Sequence, residues 1–348
     1  MPLFMTKING ISRRSFLKLS GMGLLGILSP HLSPVKPLTS QQKGRVIYEN
    51  VTIYKRASFQ SQRVRRYWKD MVIPITKATV GDKEPSYNRI WYQIGEEGYA
   101  HSGGIQPVKT LLNPVIENLP PTGALAEVTV PFTDAIWDLD QPSQVAYRFY
   151  YETTHWVEKV MRDENGKAYY KILEDKWDLE YYVPAQHLRL PPAEELKLIS
   201  PDVPRFAKRV EVRTDLQLVI AYEWNSPVFI AKTATGAKFS TGKHSTPPGR
   251  HLTNYKRPSR HMAAGNLAYN GYDLPGVPWI IYITEKGVAF HGTYWHNDFG
   301  KPRSHGCINL PSQAAKWLYL WTLPYVAPEN QWEYEEEATV VDVIVGDD

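Results

Sequence analysis

From residue 44 onward, the chain consists of short stretches rich in valine, isoleucine, tyrosine and tryptophan, separated by glycine, proline, asparagine and aspartate. Residues 46–54, 72–80 and 89–94 are the first three such stretches. β-Branched and aromatic residues favour strands, and the residues between them favour tight turns. The sequence therefore predicts a mainly β fold.

The length and composition allow several such units. The 348 residues are 43% hydrophobic, which excludes a disordered chain. At roughly 100–200 residues per domain, the chain has room for two or three domains. The single cysteine excludes an intramolecular disulfide and any multi-cysteine zinc or iron–sulfur site.

The formal charge of +4 comes from the first forty residues. They hold five lysines and arginines and no acidic residue, so the remainder carries 35 basic against 36 acidic side chains. The segment 324–348 holds eight acidic residues and no lysine or arginine. Because a neutral body with an acidic end is not suited to a phosphate backbone, we expect no nucleic-acid partner.

Residues 1–40 are predicted to be an export signal. Arg13 and Arg14 precede a ten-residue apolar run at 19–28, and prolines at 30, 34 and 37 follow it. The paired arginines followed by Phe-Leu-Lys resemble a twin-arginine signal. Ten residues are too few for a bilayer core that needs about 20. We therefore expect an extracytoplasmic protein, in the periplasm or cell wall, tethered to the membrane if the segment is not cleaved.

The middle of the chain repeats itself once. Residues 51–53 (VTI) have a counterpart at 128–130 (VTV), and residues 91–94 have one at 169–172, at nearly the same offset along the chain. Two copies are too few for a solenoid, which needs at least three. The repeat predicts two tandem modules at 44–115 and 120–190, joined by a proline-rich linker at 191–208 to a last domain at 209–346.

The two modules resemble bacterial SH3-like domains, small β-barrels in which a Trp-Tyr strand precedes a closing strand. This resemblance implies binding of cell-wall peptides through exposed aromatic side chains. A second interpretation stays open, because tyrosine and tryptophan fill barrel cores as readily as they line grooves. In that case the modules are spacers.

The lone cysteine, Cys307, lies in the last domain within Ser304-His305-Gly306-Cys307-Ile308-Asn309. Gly306 permits a positive φ, and a helix predicted from Ser312 would direct N–H groups at the sulfur and lower its pKa. Three interpretations are open from these residues: a nucleophile, a buried structural cysteine, or a metal site. The metal site would combine the cysteine with nearby histidines, namely His291, His296 and His305.

A larger pattern resembles the catalytic domain of the L,D-transpeptidase (YkuD-type) family. It consists of a histidine after a strand, His291-Gly292, and then the Ser-His-Gly-Cys segment that ends at Cys307. An upstream Ser240-Thr241-Gly242 with Thr-Pro-x-Gly at 246–249, a helix after the cysteine and a late strand at 339–345 also fit. The resemblance covers about residues 209–346 and implies a β-sandwich with a short helix after the cysteine.

The resemblance assigns catalytic roles to five residues. Cys307 would be the nucleophile and His291 its general base, oriented by the backbone carbonyl of Gly292. Backbone N–H groups of Gly306 and Cys307 would form the oxyanion hole, and His305 would shape it.

The resemblance also places four residues against the substrate: Ser304, Asn309, Trp295 and Tyr272, the tyrosine helping to hold the oxyanion. The remaining histidines are interpreted as surface or satisfied polar residues: His101, His155, His187, His244, His251 and His261.

The implied reaction is acyl transfer on peptidoglycan stem peptides. Cys307 would attack the third residue of a stem tetrapeptide, release the terminal D-alanine and form a thioester. An amine of a second stem would complete a 3→3 cross-link, whereas water would make the protein an L,D-carboxypeptidase. The resemblance implies no metal or organic cofactor and implies inhibition by carbapenems. The other class of function is a non-catalytic protein that binds the cell wall.

Overall fold

The structure, a computed structural model, describes residues 42–239, 242–267 and 271–346. The predicted signal segment, together with Ser240 and Thr241, lies outside these residues. The described part contains 26 strands and one α-helix, which confirms the mainly β prediction. In these ranges, no helix has the length and apolar character needed to cross a bilayer.

The first module is a seven-stranded antiparallel sheet in the order β3-β2-β6-β5-β4-β1-β7. Its interior is aliphatic, with Val46, Ile53, Ile75, Ile94 and Ile105 almost fully buried. A short 3-10 turn, Ser102–Gly104, precedes the last strand. The strands are β1 (Lys43–Val46), β2 (Asn50–Tyr54), β3 (Arg63–Trp68), β4 (Val72–Val80), β5 (Ile90–Ile94), β6 (Gly98–His101) and β7 (Ile105–Val108).

The second module has the equivalent strand order, β10-β9-β13-β12-β11-β8-β14, with a 3-10 turn at Ala185–His187. The two sheets therefore share one topology, although their likeness to SH3 domains stays a prediction. The strands are β8 (Ala124–Val128), β9 (Phe132–Ile136), β10 (Val145–Tyr150), β11 (Thr154–Arg162), β12 (Ala168–Leu173), β13 (Glu180–Pro184) and β14 (Leu188–Arg189).

One of the two predicted correspondences between the modules is wrong. Strands β5 and β12 begin at positions 90 and 168, the offset that the match of 91–94 with 169–172 predicts. Strands β2 and β9 begin at positions 50 and 132, which are further apart than positions 51 and 128. Residues 128–130 are the end of β8 and the turn after it, so they do not correspond to 51–53. Nine residues lie between β4 and β5 but five lie between β11 and β12, so the offset between the modules changes along the chain while the topology stays the same.

The proline-rich segment 191–208 is packed against the last domain. Its 3-10 turn Ala193–Leu196 places Leu196, which is 6% exposed, in the core of that domain. The backbone N–H of Ile199 donates to the carbonyl of Leu320 at 2.8 Å. These contacts fix the direction in which the chain enters the last domain.

The last domain has two five-stranded sheets, β17-β16-β15-β26-β20 and β24-β23-β22-β21-β25, and a small hairpin of β18 and β19. The helix α1 (Ser312–Trp321) follows β24. The strands are β15 (Lys208–Arg213), β16 (Leu218–Glu223), β17 (Ser226–Lys232), β18 (Lys238–Phe239), β19 (Gly242–Lys243), β20 (Gly249–Leu252), β21 (Tyr255–Ala264), β22 (Tyr272–Tyr282), β23 (Ala289–Gly292), β24 (Ile308–Leu310), β25 (Glu333–Tyr334) and β26 (Val340–Ile344).

The two sheets and the helix share one apolar core. Alternate residues of β15 and β22, such as Val210 and Ile281, face it, because successive side chains of a strand point to opposite faces. The helix contributes Ala315 and Leu318, as its 3.6-residue periodicity predicts. The predicted β-sandwich with a helix after the cysteine is confirmed.

Candidate active site

The register of two neighbouring strands brings the predicted nucleophile and base to one face. Strands β23 and β24 run parallel, with His291 opposite Asn309. Phe290 and Ile308 point into the core, so His291 and Asn309 point to the other face. Cys307, two residues before Asn309, shares that face. Strand spacing and rise place the Cα atoms of His291 and Cys307 roughly 8 Å apart, a separation that the two side chains can span.

His291 is held in the state that a general base needs. Its side chain is buried, and Nδ1 lies 2.9 Å from the carbonyl oxygen of Gly292. A donor at Nδ1 leaves the Nε2 lone pair available to accept a proton. Burial lowers the pKa of His291 to about 4, although the Gly292 carbonyl acts to raise it. The ring is therefore neutral at pH 7.

Gly292 fits its position for a steric reason. A Cβ atom there would lie 2.7 Å from Cγ of Pro278 and 3.1 Å from Cα of Ser312, the first residue of α1. The close packing of β23 against the helix start thus needs a glycine next to His291. The carbonyl of the same residue orients the imidazole, as the resemblance implies.

The expected activation of Cys307 by a helix is wrong. Strand β24 separates the cysteine from the helix, which begins five residues later at Ser312. Burial raises the pKa of the Cys307 thiol, although a backbone hydrogen bond from Ala289 acts to lower it. The thiol donates to the carbonyl oxygen of Gly287 at an Sγ···O distance of 3.8 Å. The resting group is a neutral thiol, half-buried on the polar face of the sheet.

The turn before the cysteine is held by side-chain hydroxyls. Ser304 Oγ accepts from the Gly306 N–H at 3.1 Å and donates to the Cys307 carbonyl at 2.5 Å. Gly306 has a φ of +116°, which favours glycine. The Gly306 N–H is thus engaged within the turn, so the N–H of Cys307 remains as the predicted oxyanion donor. Ser304, which is buried, supports the turn, and its predicted contact with a substrate stays a prediction.

Thr246 is a site residue whose role the sequence did not reveal. Its hydroxyl donates to the Gly306 carbonyl at 2.8 Å and accepts from the Gly236 N–H at 3.0 Å. The side chain is 4% exposed. The Thr-Pro-x-Gly motif pointed to this threonine, but only the folded chain shows that it anchors the turn before Cys307.

His305 is exposed beside the site and belongs to an aromatic cluster. Its ring stacks on Phe239 with a centroid distance of 4.3 Å, and His244 and Tyr272 lie at 5.0 and 5.8 Å. Burial and the nearby His244 lower the pKa of His305. His244, interpreted from the sequence as a bystander, is thus a neighbour of the site. His305, two residues before Cys307, is thus held by its stack on Phe239.

Two tyrosines lie within electrostatic range of the sulfur. Burial raises the pKa of Tyr272, and Cys307 raises it further. Burial likewise raises the pKa of Tyr282 to about 12, with a smaller contribution from Cys307. Tyr282 pairs with Ala289 across β22 and β23, on the face that carries the cysteine. Tyr272 was predicted as a site residue. Tyr282 was not, because in the sequence it cannot be distinguished from the other aromatic residues of the strands.

The remaining predicted residues, Trp295 and Asn309, lie next to His291. The Trp295 ring is 5.6 Å from the His291 ring. Asn309 is 2% exposed, and its amide lies 3.0 Å from Nε2 of the buried His296. Asn309 is therefore placed to support His296, and its predicted contact with a substrate stays a prediction. Across the ranges that the structure describes, no three His, Cys, Asp or Glu side chains are grouped to hold a metal ion.

Comparisons with known proteins agree with this architecture. The family model of YkuD, the L,D-transpeptidase catalytic domain, matches residues 207–343. No curated protein matches the chain.

The chain is also similar to solved L,D-transpeptidase structures. A crystal structure of a cysteine-to-serine variant from Enterococcus faecium is 22% identical, with 40% of this chain and 50% of that chain covered and a TM-score of 0.31. The NMR structure of the E. faecium catalytic domain is 23% identical, with 39% of this chain and 96% of that chain covered and a TM-score of 0.31. L,D-transpeptidase 3 from Mycobacterium tuberculosis is 17% identical, with 48% of this chain and 74% of that chain covered and a TM-score of 0.32.

The chain spans half the length of the E. faecium crystal structure. The match of the family model, by contrast, extends over nearly all of the two-sheet domain that holds His291 and Cys307. Residues 207–343 of this chain are an L,D-transpeptidase catalytic domain.

Proposed function

We propose that this chain is a peptidoglycan L,D-transpeptidase that forms 3→3 cross-links through a thioester on Cys307. The observation that carries the proposal is the shared face of β23 and β24. It holds a cysteine and a histidine whose Nδ1 is engaged by the Gly292 carbonyl at 2.9 Å. A neutral imidazole with a free Nε2 beside a thiol is the arrangement of nucleophilic acyl transfer.

The first half-reaction forms the acyl-enzyme. Cys307 Sγ attacks the carbonyl carbon at the third residue of a stem tetrapeptide while its proton moves to Nε2 of His291. The N–H of Cys307 and the hydroxyl of Tyr272 donate to the oxyanion; the raised pKa of Tyr272 keeps that hydroxyl protonated. The C–N bond then breaks, the imidazolium returns its proton to the leaving nitrogen, and D-alanine departs.

The second half-reaction transfers the acyl group. An amine of a neighbouring stem attacks the thioester carbon and gives a proton to His291. Breakage of the C–S bond releases the cross-linked product, and the proton returns to sulfur. Water in place of the amine would give a tripeptide, the product of an L,D-carboxypeptidase.

The predicted signal segment and the substrate class are consistent with each other. We propose that residues 1–40 direct the folded protein out of the cytoplasm, where peptidoglycan stems are accessible. The two modules, in the SH3-like interpretation, would bind the wall.

The experiment incubates the purified protein with a defined tetrapeptide stem and an amine acceptor, and identifies products by mass spectrometry. We expect a cross-linked dimer and free D-alanine from the wild type. Cys307→Ser and His291→Ala should each lose turnover by about a thousandfold or more while remaining folded. His187→Ala, a histidine control in the second module, should behave like the wild type. A tripeptide alone would assign the carboxypeptidase reaction.

Covalent labelling provides an independent readout. The E. faecium catalytic domain has been solved acylated by ertapenem, and we propose the same adduct on Cys307. Intact mass should increase by one ertapenem in the wild type and stay unchanged in Cys307→Ser. No adduct and no product from the wild type would refute the proposed function and favour a non-catalytic wall-binding protein.

A further inference from the structure

The first module contacts the segment that connects the base to the nucleophile. This bridging segment, residues 293–303, runs from Gly292 to Ser304. The N–H of Asn297 donates to the Gly103 carbonyl at 3.0 Å, and its Nδ2 donates to the carbonyls of Ser102 and Ile105 at 3.3 and 3.0 Å. The end of the first module thus holds the bridging segment through backbone groups.

Arg45 makes a second contact from the first module. Its side chain is 1% exposed, and Nη2 donates to the backbone carbonyl of Tyr294 at 2.7 Å. Tyr294 precedes Trp295, whose ring lies beside that of His291. A buried guanidinium needs all of its hydrogen-bond partners, so this contact fixes the start of the bridging segment.

Asp298 is the centre of the contact between the first module and the bridging segment. Its carboxylate is almost fully buried and pairs with Lys301 and Arg303 of the same segment, both at 2.9 Å. From the first module, the Tyr87 hydroxyl donates to it at 3.2 Å and Asn88 Nδ2 at 3.4 Å. Burial acts to raise the pKa of Asp298, but the two cations outweigh it and lower the pKa. Asp298 is therefore a charged anchor.

A chain of hydrogen bonds connects this anchor to the active site. The N–H of Asp298 donates to Nδ1 of His296 at 3.3 Å. Burial, with a contribution from Arg303, lowers the pKa of His296 to about 3. The neutral ring therefore carries its proton on Nε2 and is a donor there. The Asn309 side-chain amide, which faces Nε2 at 3.0 Å, must then present its oxygen Oδ1, which makes no other hydrogen bond among the described residues. Asn309 is the ladder partner of His291.

We propose that the first module is a positioning part of the active site, acting through Asp298 and His296 on the strand pair that carries His291 and Cys307. His296 and Asp298 are positioning residues, since neither is placed against the reacting atoms. This inference rests on the proposed function for its rate measurement, and it assigns the module a role in acylation that a wall-binding module or spacer would not have.

The test measures the rate of ertapenem acylation of Cys307 in point variants of the full chain. Asp298→Asn should slow acylation about tenfold, because small displacements of catalytic groups are costly. Tyr87→Phe, which removes the hydrogen bonds of this hydroxyl with Asp298 and Lys301, should slow acylation about threefold. The double variant should be no slower than Asp298→Asn alone, because both changes act through one anchor.

The matched control is Arg65→Ala, which removes an exposed ion pair of the first module with Glu97. It should acylate at the wild-type rate. Rates within twofold of the wild type for both Asp298→Asn and Tyr87→Phe would overturn the proposal, as would an equal loss in Arg65→Ala. If Asp298→Asn does not fold, Tyr87→Phe carries the test alone.

A second readout does not depend on catalysis. Long-range ¹H–¹⁵N spectra of the imidazole nitrogens distinguish the two neutral tautomers. His296 should show the Nε2–H form in the wild type. Asp298→Asn keeps the backbone N–H that donates to Nδ1, but loss of the charged anchor should displace that backbone, so we expect a mixture of the two tautomers. A tautomer change with no ertapenem adduct on the wild type would retain the positioning role and refute the proposed function. An unchanged tautomer would refute the positioning role.

Discussion

The state of the thiol before reaction can be tested by changing pH. Burial raises the pKa of Cys307 above its ordinary value of 9.0, and burial lowers that of His291 to about 4. A thiol with a pKa above 9 is less than about 1% ionised at pH 7. Moving its proton to an imidazole at least 9 − 4 = 5 pKa units less basic costs about 7 kcal/mol, before attraction between the charges is counted. We therefore expect no resting thiolate–imidazolium pair.

Iodoacetamide measures this directly, since it alkylates thiolates and the chain has a single cysteine. Between pH 5 and 9, the alkylation rate should rise about tenfold per pH unit with no plateau. His291→Gln should keep the same slope, because a neutral imidazole does not stabilise the thiolate. Cys307→Ser supplies the blank.

A plateau between pH 5 and 8 would refute this reasoning. It would show that the thiolate already exists at the lower pH, paired with protonated His291. A tenfold rise in alkylation rate per pH unit would instead show that the resting thiol is neutral. In the reaction with a carbonyl substrate, the proton then has to leave sulfur during the attack. In that case ertapenem acylation, unlike alkylation, should be strongly impaired by His291→Gln, because only acylation uses the general base.

Two further predictions concern the supports of the site. Thr246→Val leaves the Gly306 carbonyl and the Gly236 N–H unpaired. At roughly 1–3 kcal/mol per buried group, it should lower the free energy of unfolding in urea by about 2–6 kcal/mol, and an unchanged midpoint would contradict the anchoring role. The second prediction concerns His261. Burial acts to lower the pKa of His261, but the carboxylates of Glu174 and Asp273 outweigh burial, and the pKa is raised above 6.5. The stabilisation of the folded state by protonated His261 is therefore fully present below about pH 6.5 and is lost as pH rises through the folded pKa. The unfolding temperature of the wild type should fall more steeply between pH 6 and 9 than that of His261→Gln. Equal pH dependences would show that a protonated His261 does not stabilise the folded protein.

Much of the last domain could be predicted because its signals are local. Alternating β-branched residues predicted β15 and β16, and the spacing of Ala315 and Leu318 predicted the buried face of α1. The histidine and cysteine motifs then coincided with two strand ends. Pattern and motif agree here because each depends on a few consecutive residues.

The chemistry of the cysteine could not be predicted in the same way. Residues 308–310 form a three-residue strand, and a segment so short has no periodicity that separates strand from helix. The expected helix dipole at Cys307 was therefore misplaced. The use of the Gly306 N–H by Ser304 and the approach of Tyr282 to the sulfur depend on turn geometry and on strand pairing, which leave no trace in the spacing of residues.

The arrangement of the two modules and the last domain relative to one another is the least predictable feature. The buried charge of Arg45 explains why this arrangement is fixed. Its partners are Asp70 at 3.1 Å and Gln106 in the first module, the Tyr150 ring of the second module at 3.9 Å, and the Tyr294 carbonyl of the last domain. Burying an ion costs several kcal/mol unless its partners are complete. Separation of any unit would leave this guanidinium under-coordinated, so the modules are held against the catalytic domain by the same interactions that orient its bridging segment.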